Sequence, residues 1–254
     1  MDPWTLVETG CTDTVVRRSP DGTRHAKTAA TPTTQRELAD ERDRLLWLAT
    51  TPVPAAEVLD WSDDGTTATL TTATVPGVPA SDLGRGDAEA ATASLVGLLV
   101  TLHALPIRDC PFDRRLGTTL PLAAAAVAAG EVDEDDLDEE RAGRTAEDLL
   151  EELTSAAWRA RDEEFLDLAV CHGDACLPNV LVDPDTLQVT GIVDVGRLGV
   201  ADRHLDLALL SRSMAAPHLN PGYGVVLADR MLAAYPTEVD PWRLDFYRLL
   251  DEFF

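Results

Sequence analysis

The stretch Val170-Cys171-His172-Gly173-Asp174-Ala175-Cys176-Leu177-Pro178-Asn179 runs into Val180-Leu181-Val182, passes Asp183-Pro184-Asp185, and reaches Gly191-Ile192-Val193-Asp194. Two short Val/Leu/Ile runs on either side of an Asp-Pro-Asp turn predict a strand pair, with Asp194 just beyond it. Moving a phosphoryl group from ATP requires a carboxylate near the acceptor hydroxyl and oxygen ligands for Mg2+. Asp174 suits the first task. The amide oxygen of Asn179 and the carboxylate of Asp194 suit the second.

Upstream of this stretch the chain changes character. Thr14-Val15-Val16, the turn Ser19-Pro20-Asp21-Gly22 and the segment around Lys27 predict one hairpin. Val58-Leu59-Asp60-Trp61, the turn Ser62-Asp63-Asp64-Gly65 and Thr66 to Thr74 predict a second. Between them Leu38, Leu45, Leu46 and Ala49 recur at helical spacing. Thr34 with Glu37 three residues on predicts the capping box that starts this helix. Glu41 lies on the flank of the apolar stripe. Val75-Pro76-Gly77-Val78-Pro79 then breaks the β pattern, and helices dominate beyond it, clearest over Asp87 to Leu105 and Asp240 to Phe254. Strands followed by helices indicate an α+β fold. The expected division is a small β-rich unit over residues 1–75 and a larger, mainly helical one over 76–254, hinged at about 74–80.

Lys27 is the only lysine; the other 20 basic residues are arginines. A genome bias toward arginine explains the scarcity but not the exception, although an incidental surface lysine stays an open reading. A compact ammonium on a strand, just before a helix bearing Glu41, matches the protein-kinase arrangement in which a lysine pairs with a helix glutamate and reaches ATP phosphates. Asp174 and Asn179 match the H-x-D-x-x-x-x-N spacing of kinase catalytic loops. Asp194 matches the metal-binding Asp, with the usual Gly displaced one residue to Gly196. An isolated D-x-x-x-x-N carries little weight; the ordered set Lys27, Glu41, Asp174, Asn179, Asp194 carries much more.

Composition narrows the partners. Against 45 acidic residues stand 21 basic ones, a net charge of −24 over 254 residues. That field repels a phosphate backbone, so nucleic acid is not expected, and it concentrates cations. No secretory signal or membrane-length apolar run is visible, and the four cysteines form no C-x-x-C pair. The expectation is a cytoplasmic protein, without a membrane partner, acting as a monomer or homodimer.

The segments CHGDACLPNVLVD and GIVDVGRLGVADRHLDLALL, with FYRLLDEFF, CPFD, EVDEDDLDEE and RLLWLATTPVP, resemble the aminoglycoside 3′-phosphotransferases from Gly10 onward. The resemblance implies a protein-kinase-like, two-lobed fold with a nucleotide-binding N-lobe and a catalytic C-lobe. It also implies transfer of the ATP γ-phosphate to an aminoglycoside hydroxyl. Asp174 then matches the catalytic aspartate, Asn179 and Asp194 the Mg2+ ligands, and Lys27 and Glu41 the phosphate-positioning pair. Thr12, in the loop Gly10 to Thr14, would cover the phosphates, although that loop is not fully glycine-rich. Val75, at the hinge, would meet the adenine. Asp138 and Glu139 would face the drug's ammonium groups, as would Asp251, Glu252 and the Phe254 carboxylate. Arg197 and Arg212 match positions at the same cleft, with a structural ion pair the other reading. Ser213 stands where some members have an aspartate, and fewer residues precede Gly10 than members usually carry. His172 and Asp206 read as structural parts of the catalytic loop, and the other histidines and the cysteines as core or surface. Two rivals remain open: a kinase acting on another hydroxylated antibiotic or an amino-sugar metabolite, and a non-catalytic binder of drug or nucleotide.

Overall fold

A computed structural model describes residues 4–7 and 14–254. The N-terminal part holds β1 (Thr5–Leu6), β2 (Val15–Arg18), β3 (Arg24–Ala29), α1 (Pro32–Leu48), β4 (Val58–Asp63) and β5 (Ala68–Ala73). The five strands form one antiparallel sheet in the order β1-β2-β3-β5-β4. Alternation along β3 puts His25, Lys27 and Ala29 on one face. The register pairs Lys27 with Leu70 and Ala29 with Ala68. Leu70, Ala29 and Ala68 are buried, as are Leu38, Leu45 and Leu48 of α1, which packs on β3 and β5. The lone lysine thus sits on the covered face, beside the helix.

The start of α1 differs from the expectation. Its N-cap is Thr31, whose hydroxyl accepts from the Thr34 backbone N–H while the Thr34 hydroxyl accepts from the Thr31 N–H. Thr34 is therefore the third residue of the helix, and Glu37 lies in its body. Pro32 explains the shift, since its fixed φ and missing N–H suit the first helical turn. The second hairpin also turns later than expected. β4 continues through Asp63, and the Asp64 carboxylate accepts the N–H groups of Thr66 and Thr67.

Beyond the sheet come β6 (Val78–Pro79), α2 (Arg85–His103), α3 (Leu116–Ala129), α4 (Ala146–Glu164), β7 (Leu168–Cys171), β8 (Val180–Val182), β9 (Val189–Ile192), β10 (Gly199–Asp202), α5 (His204–Ala215), α6 (Val225–Ala234) and α7 (Pro241–Asp251). Strands followed by helices give the expected α+β class. The expected strand pair around Asp183-Pro184-Asp185 is β8–β9, and β6 adds to its edge. Gly77 makes that crossing possible. Its φ is 108°, and a Cβ there would run into the Val182 carbonyl. The two parts meet where Ile192 N–H donates to the Pro54 carbonyl at 3.0 Å and where α1 packs on residues 195–197. Among the described residues no helix is long and apolar enough to cross a membrane.

Helix α7 is fixed by buried charge. Arg243 donates to Asp202 at 3.0 Å and Asp167 at 2.7 Å, and His204 Nδ1 donates to the other Asp202 oxygen at 2.7 Å. Asp202 and His204 have no exposed surface. Removing one partner of such a network leaves the other charge desolvated and unpaired, which costs far more than the intact pair contributes. We expect Arg243→Ala to lower unfolding free energy by about 3 kcal/mol, read from urea denaturation. A loss under about 0.5 kcal/mol, the usual scale of a surface change, would contradict this account of how α7 is held.

Candidate active site

The loop that carries Asp174 leaves β7 at Cys171 and enters β8 at Val180. Gly173 has φ 82°, and a Cβ there would run into the Arg197 carbonyl, so the loop's close approach to residues 195–197 requires glycine. His172 Nδ1 accepts the Asp174 N–H at 3.2 Å, so its Nε2 carries the hydrogen and donates to the Val193 carbonyl at 3.0 Å. The imidazole therefore ties the Asp174 loop to the segment preceding Asp194.

Asn179 is buried, and its Nδ2 donates to the Asp174 carbonyl and to Asp174 Oδ2, each at 3.0 Å. Those bonds fix the amide orientation and leave Oδ1 as the atom available to a cation. Asp194 adopts a left-handed conformation (φ 56°, ψ 46°), with a side chain 48% exposed. Lys27 Nζ bonds both Glu41 oxygens, at 2.9 and 3.0 Å, and also reaches Asp194 Oδ1. Burial works against the Lys27 charge, yet the Glu41 and Asp194 carboxylates outweigh it and raise the ammonium above the ordinary lysine range. The structure thus joins Lys27 to Glu41 and Asp194, and Asp174 to Asn179. Asn179 Oδ1 and Asp194 are hard oxygen donors of the kind Mg2+ takes. Val75 packs against Gly191, beside this site. Thr12 lies outside the described residues.

A second cluster gathers at the end of α7. Asp251 is engaged on both carboxylate oxygens, by Arg197 at 3.2 Å and by Arg212. Arg212 also pairs with Asp138 at 3.1 Å. Glu252, its side chain 4% exposed, accepts the Asp138 N–H at 3.3 Å and lies 3.5 Å from Arg141. Glu139 is exposed on the same loop. The Phe254 ring is flanked by Arg114 and Arg197, 5.4 and 5.6 Å from its centroid. Asp138, Asp251 and Glu252 come together interleaved with arginines, as an ion-pair network rather than a row of free acids.

A family model for the phosphotransferase enzyme family matches residues 4–242. The chain belongs to that phosphotransferase family. An aminoglycoside 3′-phosphotransferase of Streptomyces fradiae is 47% identical over 220 residues, covering 86% of this chain and 80% of that protein. A streptomycin 3″-kinase of Streptomyces griseus is 39% identical over 248 residues, covering 98% and 91%. Among solved structures, the aminoglycoside phosphotransferase APH(3″)-Id of Streptomyces rimosus in complex with ADP and streptomycin superposes with TM-score 0.88 at 36% identity, over 98% of this chain and 92% of that one. The two-part α+β architecture is thus the kinase-like fold of these phosphotransferases.

Two residues that support these clusters, His103 and Arg141, are not singled out by the sequence. Asp206 reads there as a loop anchor, and its oxygens do accept the N–H groups of His172 (2.7 Å) and Gly173 (2.9 Å). Its further partner His103, at 3.1 Å, reads only as a core histidine. Burial works against the Asp206 charge, but the hydrogen bonds from His103 and from the Gly173 amide hold its carboxyl below the ordinary range. Arg141 is also missed. It is buried against Glu252 and donates to Asp245 at 2.9 Å, and no local pattern marks it.

Burial, with the Asp138 charge beside it, raises the Glu252 carboxyl from 4.5 to about 7. The folded state then holds a proton that the unfolded state releases, so this group's stabilisation is lost as pH climbs from about 4.5 to 7. We expect Glu252→Gln to gain stability over the parent by on the order of 2 kcal/mol between pH 5 and pH 8. Denaturant titrations at the two pH values measure it; parallel pH dependences in both proteins would refute the shift.

Proposed function

We propose that this protein is an ATP-dependent aminoglycoside kinase that transfers the γ-phosphate to the drug's 3′-hydroxyl and so confers resistance. The observation that carries the reading is the convergence of Lys27, Glu41 and Asp194 beside an Asp174 already oriented by Asn179. The fradiae relative's 3′ name and the ADP-bound family structure support it. In this proposal the nucleotide lies between the sheet and the helical part, with residues 74–80 as the hinge, Thr12 over the phosphates and Val75 at the adenine. Lys27 neutralises phosphate charge, and Glu41 keeps its ammonium aimed. Asn179 and Asp194 would hold Mg2+, which when bound supplies charge neutralisation at the phosphates. Asp174 accepts or orients the proton of the attacking hydroxyl.

Asp138, Glu139, Asp251, Glu252 and Phe254 would form the drug-facing wall. Arg197 and Arg212 hold Asp251 in position there. Because a streptomycin 3″-kinase aligns along 98% of the chain, a 3″-hydroxyl acceptor is the second reading. A coupled ADP-release assay with kanamycin, neomycin and streptomycin, followed by NMR of the product, separates the two. Turnover with none of the three would sink the proposal.

Substitutions at two positions probe the roles. Asp174→Asn should retain nucleotide binding while kcat falls by roughly 100-fold or more; near-parental turnover would remove Asp174 from the chemistry. Lys27→Arg should recover only part of the activity lost in Lys27→Ala, because a planar fork cannot reproduce a compact ammonium gripped by two carboxylates. Drug KM should stay close to that of the parent in both Lys27 variants. Full activity in Lys27→Arg would contradict the assignment.

A further inference from the structure

The anchor Asp206 is itself held from behind. His103, the last residue of α2, presents Nε2 to Asp206 Oδ2 at 3.1 Å and Nδ1 to the Tyr235 hydroxyl at 2.8 Å. Tyr235 follows the end of α6, is buried, and packs edge-on against the imidazole with ring centroids 5.8 Å apart. Asp206 is an ionised acceptor, so the hydrogen between it and His103 must reside on Nε2. A neutral ring then leaves Nδ1 as an acceptor, which the Tyr235 O–H satisfies. Burial pushes the Tyr235 phenol up, so it stays a donor. In the other neutral tautomer, Nε2 would turn a lone pair toward the carboxylate and the link would break.

We propose that Tyr235 is a remote positioning residue for the catalytic loop: its hydroxyl, donating to Nδ1, holds the His103 ring with Nε2–H aimed at Asp206, and Asp206 in turn holds the His172 and Gly173 amides. The hydroxyl touches neither loop nor reacting groups; it acts through two side chains on two other helices, α2 and α5. The kinetic consequence rests on the phosphotransferase reading above, whereas the consequence for the loop does not.

Tyr235→Phe keeps the ring and removes the donor. Amide exchange of His172 and Gly173 should accelerate on the order of 5-fold, the scale of one net hydrogen bond, while the melting temperature stays close to that of the parent. In turnover, kcat should fall by a similar factor with KM for ATP and drug within about 2-fold, since the loss lies in orientation rather than ground-state binding. His103→Gln carries its own N–H toward Asp206 and needs no tautomer; in that background Tyr235→Phe should add no further change. Imidazole nitrogen NMR of the unmodified protein should report His103 as the neutral Nε2–H form. An Nδ1–H tautomer, unchanged exchange of the two amides in Tyr235→Phe, or fully additive effects in the double variant would each overturn the proposal. If no aminoglycoside is phosphorylated, the functional reading fails, and the exchange and NMR results still decide this one.

Discussion

A single buried carboxylate, that of Asp206, fixes the catalytic loop on which the rest of the site depends. The loop must turn sharply, which Gly173 permits, and it must do so beneath residues 195–197, where backbone amides are cut off from water. The His172 and Gly173 N–H groups need acceptors there, because a buried amide left unpaired costs on the order of 1–3 kcal/mol. Asp206, with no exposed surface, supplies both. Those bonds and His103 in turn keep the carboxylate charged against its own desolvation. Anchor and loop are mutually required, so Asp174 inherits its position from a residue 32 positions later in the chain.

The wall at the end of α7 obeys a different constraint. Net charge of −24 creates a long-range field that draws cations, and salt screens that field over about 8 Å at physiological ionic strength. Close to the wall the carboxylates are not free: Asp251 is gripped by two arginines and Asp138 faces one of them. Such pairing keeps several acids from repelling one another in a partly buried space, while burial first, and the Asp138 charge second, keep the Glu252 carboxyl pKa raised. Attraction and positioning are therefore separable, the first a property of the whole surface and the second of a local network.

What the sequence made legible follows from sequence distance and pattern. The sheet-then-helix order, the strand pair around Asp183-Pro184-Asp185 and the loop from His172 to Asn179 are written in contiguous residues, and all emerge from short runs with turn residues between them. Lys27 stood out by composition, and its partner Glu41 is only 14 residues away. The start of α1 lies three residues before the one the local pattern suggests, because Thr31 and Thr34 both suit a cap; Pro32, favoured in a first helical turn, is the discriminating signal. Arg212 with Asp251, Arg141 with Glu252, and His103 with Asp206 join positions 39 to 111 residues apart. No periodicity or motif encodes which arginine meets which acid, since that is settled by how α2, α5 and α7 pack.

The residues proposed to carry the reaction also divide by what holds them. Asp174 and Asn179 are linked within one loop, and their hydrogen bonds would survive any movement of the sheet. Lys27 belongs to β3 and Glu41 to α1, both in the N-terminal part, whereas Asp194 follows β9 in the other. The Lys27–Asp194 contact therefore spans the two parts, and it forms only when they are correctly placed. Its ammonium has a second anchor, Glu41, in the same N-terminal part, so the lysine is held there independently of the Asp194 contact. Geometry on the side of Asp174 is set within its loop, and geometry on the side of Lys27 depends on how α1 and the Pro54 segment pack on residues 192–197. Substitutions near Pro54 or in the α1 contact with residues 195–197 bear first on the Lys27 side, and they reach the Asp174 loop through the His172–Val193 bond and the approach of Gly173 to Arg197.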